Sequence, residues 1–284
     1  MNYREKLNLV NKDLKNISVA RQANLLDISR STIYYEPAID PDDVKIMNAI
    51  DEIFTHCPFY GHRRIREDLR SDYEIQIGKK RIVSLMKEMG LEAVYPKKKW
   101  HLSDPDKDTR KFPYLLSGLP IVGSNQVWGT DITYVKLSKG FTYLVAIMDW
   151  FSRYVVSWEL SETLAIEFCL NNLKRALNTG TPEIHNSDQG SHFTSQQYVD
   201  FLKSNKTIRI NMDGRGRCMD NIFTERLWRT VKYENIYLNE YGNITEANQG
   251  LSEYFKFYNE KRKHQSLNYQ TPAQIYFAKS TARN

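Results

Sequence analysis

Cysteine is scarce in this chain and is never paired in sequence. The 284 residues contain three cysteines, Cys57, Cys169 and Cys218, which lie far apart. No CxxC pair and no paired Cys/His spacing occurs, so neither a disulfide framework nor a zinc site is indicated. Isolated cysteines of this kind are typical of proteins in a reducing compartment.

Long apolar runs are also lacking. No run reaches the roughly 18 residues of a membrane-spanning helix. The N-terminal segment has no apolar core of the kind found in secretory signals. Internal repeats and low-complexity segments do not occur either. We therefore expect a soluble cytoplasmic protein with no membrane partner.

The charge balance is basic, with 40 Lys and Arg against 34 Asp and Glu and a formal net charge of +6. A basic balance favours polyanionic partners such as nucleic acids. The argument is weak alone, because many ordinary enzymes of this length carry a similar charge.

Residues 1–40 predict a helix-turn-helix module. Ser18 can cap a helix over residues 19–26, and after a short turn a second helix begins at Arg30. This order is that of DNA-reading helix pairs, which makes Arg30 a candidate DNA contact. A plain helical hairpin is the alternative interpretation.

Residues 41–95 predict a second helical module of the helix-turn-helix type. Apolar residues recur there at helical spacing in three stretches. The middle stretch is rich in arginine, and Arg63, Arg64 and Arg66 are candidate contacts to DNA phosphates. Ion pairs with Glu67 and Asp68 on a solvated helix face are the alternative.

Residues 96–122 predict a basic linker, because the periodicity fails and four prolines occur there. The lysine triplet Lys97, Lys98 and Lys99 is a candidate for contact with a phosphate backbone. A simple basic linker without such contacts explains the same composition.

Residues 123–284 show strand patterns first and then alternating helices and strands. β-branched and aromatic runs at 126–137 and 141–149 are separated by a hairpin signal, and a third run follows at 154–160. This order predicts an α/β fold, with a mixed sheet that carries helices on both faces and a C-terminal helical extension.

Three acidic residues in this part stand where the fold would bring them together. Asp131 interrupts an apolar strand, where a carboxylate needs a partner or a metal. Asp188 follows the carboxyl end of a short strand, where ligands gather in open α/β sheets. Glu225 lies on a helix predicted over residues 220–235. Taken singly, each has a structural alternative: a hydrogen-bonded core Asp, an Asx turn and an ordinary surface charge.

Three convergent carboxylates are the minimum needed to hold two divalent cations, and Mg²⁺ and Mn²⁺ prefer oxygen ligands. Two such ions about 4 Å apart clamp an in-line displacement at phosphorus. Lys232 lies two helical turns beyond Glu225, on a face that also holds Trp228 and Arg229, and can hold the adjacent phosphate. The sequence thus predicts a metal-dependent enzyme that acts on a polynucleotide backbone.

Several motifs in one order resemble the DDE transposases of bacterial insertion sequences, specifically the catalytic OrfB type of the IS-three family. The matching stretches are WGTDIT from Trp128, MDWFSR from Met148, NSDQGSHFTS from Asn186, DNIFTERLWRTVK from Asp220 and the tail from Tyr258. The YGHRRI stretch from Tyr60 and the RIVSLMKEMGL stretch from Arg81 are similar to the upstream helix-turn-helix module of that family. The wider group includes retroviral integrases.

The resemblance implies an RNase H-like integrase catalytic core, in which Asp131, Asp188 and Glu225 bind two Mg²⁺ or Mn²⁺ ions once DNA is present. It implies strand cleavage at the element ends and transfer of the freed 3′-hydroxyl to target DNA. The implied partners are terminal inverted repeats, target DNA, further copies of the chain and an upstream OrfA product.

Two small departures from the family pattern are visible. The interval between Asp188 and Glu225 is one residue longer than is common in the family, and Asn186 stands where His is frequent. The extra residue is expected in the loop before the catalytic helix, where Arg215 and Arg217 are candidate DNA contacts.

Two other functions stay open on the sequence. A DNA-binding regulator with an inactive RNase H-like domain fits the helix-turn-helix modules, although the intact acidic triad and Lys232 argue against it. A nuclease that cuts and never joins would use the same metal site.

Overall fold

We describe the protein from a computed structural model that covers residues 3–14, 16–34, 40–94, 115–212 and 222–278. The N-terminal helices are α1 (Tyr3–Asn8), α2 (Val19–Leu26), α3 (Arg30–Ile33), α4 (Pro41–His56), α5 (His62–Asp72) and α6 (Lys79–Glu88). The strands are β1 (Val127–Lys136), β2 (Phe141–Asp149), β3 (Val155–Ser161), β4 (Ile184–Ser187) and β5 (Arg209–Met212). The later helices are α7 (Ile166–Thr179), α8 (Gln196–Ser204), α9 (Ile222–Val231), α10 (Tyr237–Asn239), α11 (Ile244–Glu260) and α12 (Pro272–Tyr276).

The first helix pair forms where its capping residue predicts it. The Ser18 hydroxyl accepts a hydrogen bond from the backbone N–H of Arg21, which satisfies a free donor in the first turn of α2. The helix ends at Asp27 in a left-handed conformation. A turn then leads into α3, which begins at Arg30 as the sequence indicates.

The second helical module has its own apolar core. Ile50 of α4, Ile65 and Leu69 of α5, and Ile82 and Leu85 of α6 are all buried in one cluster. The helical spacing of these residues produces the packing, because it places them on one face of each helix. Gly90 adopts a positive φ after α6, and its N–H bonds to the carbonyl of Lys87, so the helix ends there.

The sheet is mixed, with strand order β3-β2-β1-β4-β5. The hairpin strands β1, β2 and β3 pair antiparallel, whereas β4 pairs parallel with β1 and β5 pairs parallel with β4. β1 is therefore the central strand, with the antiparallel strands β2 and β3 on one side and the parallel strands β4 and β5 on the other. This order reversal beside β1 is the place where open α/β sheets collect ligands.

Helices cover both faces of the sheet, which confirms the predicted fold class. Leu144, Ala146 and Met148 of β2 pack in one cluster with α9 and α11. The alternate residues Val145 and Ile147 pack on the opposite face with α7 and α8. Successive side chains of a strand point in opposite directions, so alternate residues of β2 meet the helices on each face, and both faces are buried.

The helix that carries Glu225 departs from its sequence prediction. A continuous helix was predicted from Asp220 to Asn235, but α9 ends at Val231 and a π-helical turn follows over Lys232–Ile236. The turn contains the polar side chains of Glu234 and Asn235. Arg262 donates a hydrogen bond to Glu234, and the Tyr241 hydroxyl donates one to Asn235. Single π turns are often found at functional sites.

The second helical module contacts the part of the protein that holds the sheet through a set of polar residues with little solvent exposure. We call this set the junction: Arg64, Glu234, Tyr254 and Arg262. Arg64 of α5 and Arg262 both form ion pairs with Glu234. Outside the junction, Lys263 bonds to Asp68 of α5 at 2.9 Å. None of the helices in the described ranges is long and apolar enough to cross a bilayer.

Candidate active site

The parallel pairing of β1 with β4 puts two of the three predicted acids at the same level of the sheet. Gly129 pairs with Asn186. Asp131 and Asp188 each lie two residues farther along, beyond the last paired residues of the parallel ladder. Both side chains are partly buried. The structure therefore brings the two aspartates together at the order reversal of the sheet.

Helix α9 approaches the same point from one face of the sheet. The indole Nε1 of Trp228 donates to Oδ2 of Asp131 at 2.9 Å, and the backbone N–H of Ile132 donates to Oδ1 at 2.8 Å. Glu225 lies one turn before Trp228 and is exposed to solvent. Trp228 thus orients Asp131 and fixes the helix that carries the third acid beside it.

Gly129 allows this close approach. A Cβ atom at this position would collide with the indole nitrogen of Trp150 and would lie 3.0 Å from the hydroxyl oxygen of Thr224 on α9. Any larger residue would push α9 away from β1. The glycine of the WGTD motif therefore has a packing role next to the acid.

The electrostatics of the two aspartates show a site with excess negative charge. Burial, together with the charge of Asp188, raises the pKa of Asp131 to about 7, against the lowering effect of its hydrogen bonds. Burial also raises the pKa of Asp188, although the backbone N–H of Gly190 donates to it at 3.0 Å. Raised carboxylate pKa values of this kind are typical of functional sites.

Lys232 lies within the electrostatic reach of Asp131. Burial lowers the pKa of Lys232, and the carboxylate of Asp131 partly offsets that shift. Within the described ranges, no three His, Cys, Asp or Glu side chains are gathered closely enough to form a ready metal site. The structure thus brings Asp131 and Asp188 together and places Glu225 within electrostatic reach of Asp131, but the three carboxylates do not form a compact cluster.

Comparisons with known proteins agree with this geometry. Two family models described as an integrase core domain match residues 122–218 and 206–272, and one described as an HTH-like domain matches residues 41–99. The putative transposase InsK for insertion sequence element IS150 of Escherichia coli strain K12 is 30% identical over 243 residues. That match covers 83% of this chain and 85% of the relative. The chain belongs to the IS-three family of insertion-sequence transposases.

Two further comparisons extend the result. The transposase for insertion sequence element IS904 of Lactococcus lactis is 30% identical over 222 residues, which cover 76% of this chain and 87% of that protein. A simian T-cell lymphotropic virus intasome, solved with the PP2A regulatory subunit B56 gamma, aligns with a TM-score of 0.51 at 19% identity. That alignment covers 82% of this chain and 76% of the viral chain and concerns the fold alone.

Four of the predicted DNA contacts of the transposase are exposed to solvent. Arg229 is exposed on α9, four residues after Glu225, and Arg63 and Arg66 are exposed on α5. Arg30 is exposed on α3, with its guanidinium 5.8 Å from the ring centre of Tyr34. None of these four forms an ion pair with a residue in the described ranges.

Arg64 differs from the other predicted contacts. Its guanidinium is half-buried, pairs with Glu234 at 3.2 Å and lies 5.1 Å from the ring centre of Tyr60. The structure therefore engages Arg64 within the protein. Five further candidates, Lys97, Lys98, Lys99, Arg215 and Arg217, lie outside the described residues.

Other polar residues near the acids have structural partners. Asp149 accepts hydrogen bonds from the backbone N–H and the hydroxyl of Ser152 and from the backbone N–H of Asn125. His185 bonds to the hydroxyl of Tyr198, and His192 bonds to the carbonyl of Leu164. These contacts fit packing and turn formation.

Sequence reasoning missed two features of the site. The hydrogen bond from Trp228 to Asp131 was not predicted, although Trp228 was placed on the same helix face as Glu225, which was the available signal. The junction was also missed. Glu234 and Arg64 are 170 positions apart, and no local pattern points from one to the other.

Proposed function

We propose that the transposase cleaves DNA strands at the ends of an insertion sequence and joins the freed 3′-hydroxyls to target DNA, at a centre formed by Asp131, Asp188 and Glu225. One observation carries this proposal: two repelling aspartates lie at the order reversal of the sheet, and the helix with Glu225 is hydrogen-bonded to one of them. The membership in a transposase family supports the reaction class.

The donor set fits Mg²⁺ or Mn²⁺. All three side chains are carboxylates, the oxygen ligands that these ions prefer. The raised pKa values of Asp131 and Asp188 report negative charge that a divalent cation would relieve. Two bound ions would activate the attacking hydroxyl and stabilise the leaving 3′-oxygen. Glu225 is exposed, so we expect it to complete the ligand set once substrate DNA contributes phosphate oxygens.

The residues around the acids hold them in place. Trp228 and the N–H of Ile132 each bond one oxygen of Asp131, which leaves its remaining lone pairs for a ligand. The N–H of Gly190 holds one oxygen of Asp188. We expect Lys232, whose charged form Asp131 favours, to meet a phosphate. Water or a DNA hydroxyl is the nucleophile, and the protein supplies none.

DNA is the proposed partner, in two roles: the terminal repeats of an element and the target. Arg229, Arg63, Arg66 and Arg30 are exposed and without ion pairs in the described ranges, which suits contacts to phosphates. The comparison structure is an intasome, so we expect several copies of the chain on the DNA. An upstream OrfA product is a further expected partner.

The decisive test is a strand-transfer assay with labelled element-end duplexes and Mg²⁺. Wild type should form cleaved and joined products, and Glu225→Gln should form neither while it still binds DNA. The matched control is Glu253→Gln, which removes the same charge from an exposed position on α11 and should keep full activity.

Three outcomes would speak against the proposal. Equal product from wild type and Glu225→Gln would overturn the triad. Cleaved ends that are never joined would indicate a nuclease. DNA binding by wild type without any product in Mg²⁺ or Mn²⁺ would indicate a regulator.

A further inference from the structure

A large cleft lies between the second helical module and the part of the protein that holds the sheet, along α9. Its volume is about 660 Å³, and its walls come from the start of α5, from α9 and from the segment after α11. Six arginines line it: Arg63, Arg64, Arg153, Arg226, Arg229 and Arg262. Among the described residues that line the cleft, one acid occurs, Glu234.

That acid is already neutralised. Arg262 donates to both carboxylate oxygens of Glu234 at 2.6 Å, Arg64 donates at 3.2 Å, and the Tyr254 hydroxyl donates at 2.9 Å. Two of the six arginines therefore belong to the junction. The other four make no ion pair with any residue in the described ranges.

Arg153 is an unusual member of the remaining four. Its guanidinium carbon lies 3.4 Å from the ring centre of Phe223, and the group donates to the carbonyl of Trp150. Its backbone has a φ of 65°, a region that costs non-glycine residues energy. Burial lowers its pKa to about 10. The charge of Asp149 favours the guanidinium without forming an ion pair with it, so this buried cation on an aromatic ring can still take an anion.

The basic lining continues beyond this cleft. A second pocket of about 270 Å³ shares His62, Arg63 and Gln265 with it and extends to Arg66 and Lys79. Helices α5 and α6 both start at glycines that give no side-chain cap, and both have basic residues and no acid in the first turn. The two pockets together form what we call the basic groove.

Another cleft of similar size shows that volume is not the distinguishing property. A cavity of about 700 Å³ between β3, α7 and α11 is lined by two acids and two bases: Glu159, Glu260, Arg175 and Lys256. Arg175 forms an ion pair with Glu159 there. Uncompensated positive charge is therefore a property of the basic groove in particular.

We propose that the basic groove binds a DNA phosphodiester backbone at a site separate from the carboxylate centre, with Arg153 and Arg226 as contacts that hold the strand. Arginine suits this task because its planar guanidinium bonds a phosphate through two donors. Arg226 directly follows Glu225, so the groove shares α9 with the third predicted acid. The proposal rests on the proposed function, since the ligand is taken to be the substrate DNA.

The test measures binding of the full chain to labelled duplex DNA over a range of salt concentrations. Arg226→Ala is the main variant because Arg226 is exposed and its loss should leave folding intact. We expect about tenfold weaker binding and a salt slope that falls by about 0.9, the value for one lost phosphate contact. Arg153→Gln should act in the same direction, with its folding checked by thermal unfolding.

The matched control is Lys256→Ala, which removes one positive charge from the balanced cleft and should change neither affinity nor slope. A backbone contact should weaken binding equally for element-end duplexes and scrambled duplexes. Loss confined to the element ends would indicate base reading and overturn the proposal. Unchanged affinity and slope in both folded arginine variants would also overturn it.

Failure of this proposal and failure of the proposed function can be told apart with Glu225→Gln. That variant should bind DNA with the wild-type slope and form no joined product. If it joins DNA like wild type, the triad is wrong and the groove result still stands. If the arginine variants bind like wild type while Glu225→Gln is inactive, the groove is wrong and the catalytic assignment still stands.

Discussion

Asp131 on β1 and Glu234 in the π turn after α9 are two partly buried acids, and their surroundings shift their pKa values in opposite directions. Burial and the neighbouring Asp188 raise the pKa of Asp131 to about 7. Burial also acts to raise the pKa of Glu234, but Arg262 and Arg64 outweigh it, so the pKa of Glu234 is lowered. Asp131 therefore carries a poorly compensated charge, and Glu234 carries a well compensated one.

This difference separates a functional carboxylate from a structural one. A buried charge that costs stability is retained when something outside the folded chain needs it, which under the proposed function is a divalent cation. A buried charge that is paired and fully hydrogen-bonded holds parts of the protein together. The four predictions below test this contrast, and they are ordered by the size of the expected effect.

The largest effect is expected for Asp131→Asn. The variant should lose at least about a thousandfold in strand transfer, because a ligand of the two-ion clamp is removed. Its free energy of unfolding should change by less than about 1 kcal/mol, since the relief of a buried charge offsets the weakened bond with Trp228. The measurements are product yield and urea unfolding. A destabilisation of about 3 kcal/mol or more would mean that Asp131 is a structural residue.

Glu234→Gln should show the opposite profile. Removing this charge leaves Arg262 buried and uncompensated, so the free energy of unfolding should fall by about 3–5 kcal/mol. Glu253→Gln, on the exposed face of α11, should change it by less than about 0.5 kcal/mol. Urea unfolding of both variants decides the matter, and equal stability of the two would refute the structural role of the junction.

Acid should lower the free energy of unfolding. Burial and the nearby Arg262 lower the pKa of His264 to about 2, and burial lowers that of His185 to about 4. In the unfolded state each histidine takes up a proton near pH 6.5, whereas in the folded state it stays neutral. Stability should thus fall as the pH drops below 6.5, by about 1.4 kcal/mol per pH unit for each histidine.

Glu234 adds to this loss at lower pH. Its folded pKa is depressed below 4.5, so its stabilisation is present above that value and disappears as the pH falls further. The control for the histidine contribution is His264→Gln, which should reduce the slope of stability against pH by about one proton. An unchanged slope between pH 6.5 and 5 would contradict the assignment.

The smallest effect is expected for Lys263→Ala. Burial raises the pKa of Asp68 even though Lys263 bonds to it, while the same contact raises the pKa of Lys263. The raised pKa of Asp68 indicates that its charged form is disfavoured, and the raised pKa of Lys263 indicates that its charged form is favoured. The ion pair therefore adds little to the free energy of unfolding. The free energy of unfolding should fall by about 0–1 kcal/mol. A loss as large as that of Glu234→Gln would show that the polar contact extends well beyond Glu234.

Much of the fold follows from local sequence. The Ser18 cap and the apolar spacing after it predict α2 over the residues that the structure shows, and the strand runs predict β1 and β2 to within a residue at each end. The helix over 220–235 was predicted less well, because buried contacts of Glu234 and Asn235 produce a π turn. The predicted domain boundaries stay predictions.

The candidate site divides in the same way. Asp131, Asp188, Glu225 and Lys232 were found from motifs and from their places on strands and a helix, which depend on nearby residues. The engagement of Arg64 by Glu234 and the grouping of Arg153 with Arg226 could not be found, because they depend on which surfaces meet after folding.

The sequence by itself thus determined the fold class and most of the secondary structure and nominated the acids as a site, since these depend on periodicity, capping and motif. The tertiary structure alone decided which charges are compensated. A carboxylate is structural or available to a metal according to the groups that lie within a few ångströms of it, and those groups come from distant parts of the chain. The two ion-pairing arginines beside Glu234, and the second aspartate beside Asp131, are therefore what distinguish the two sites.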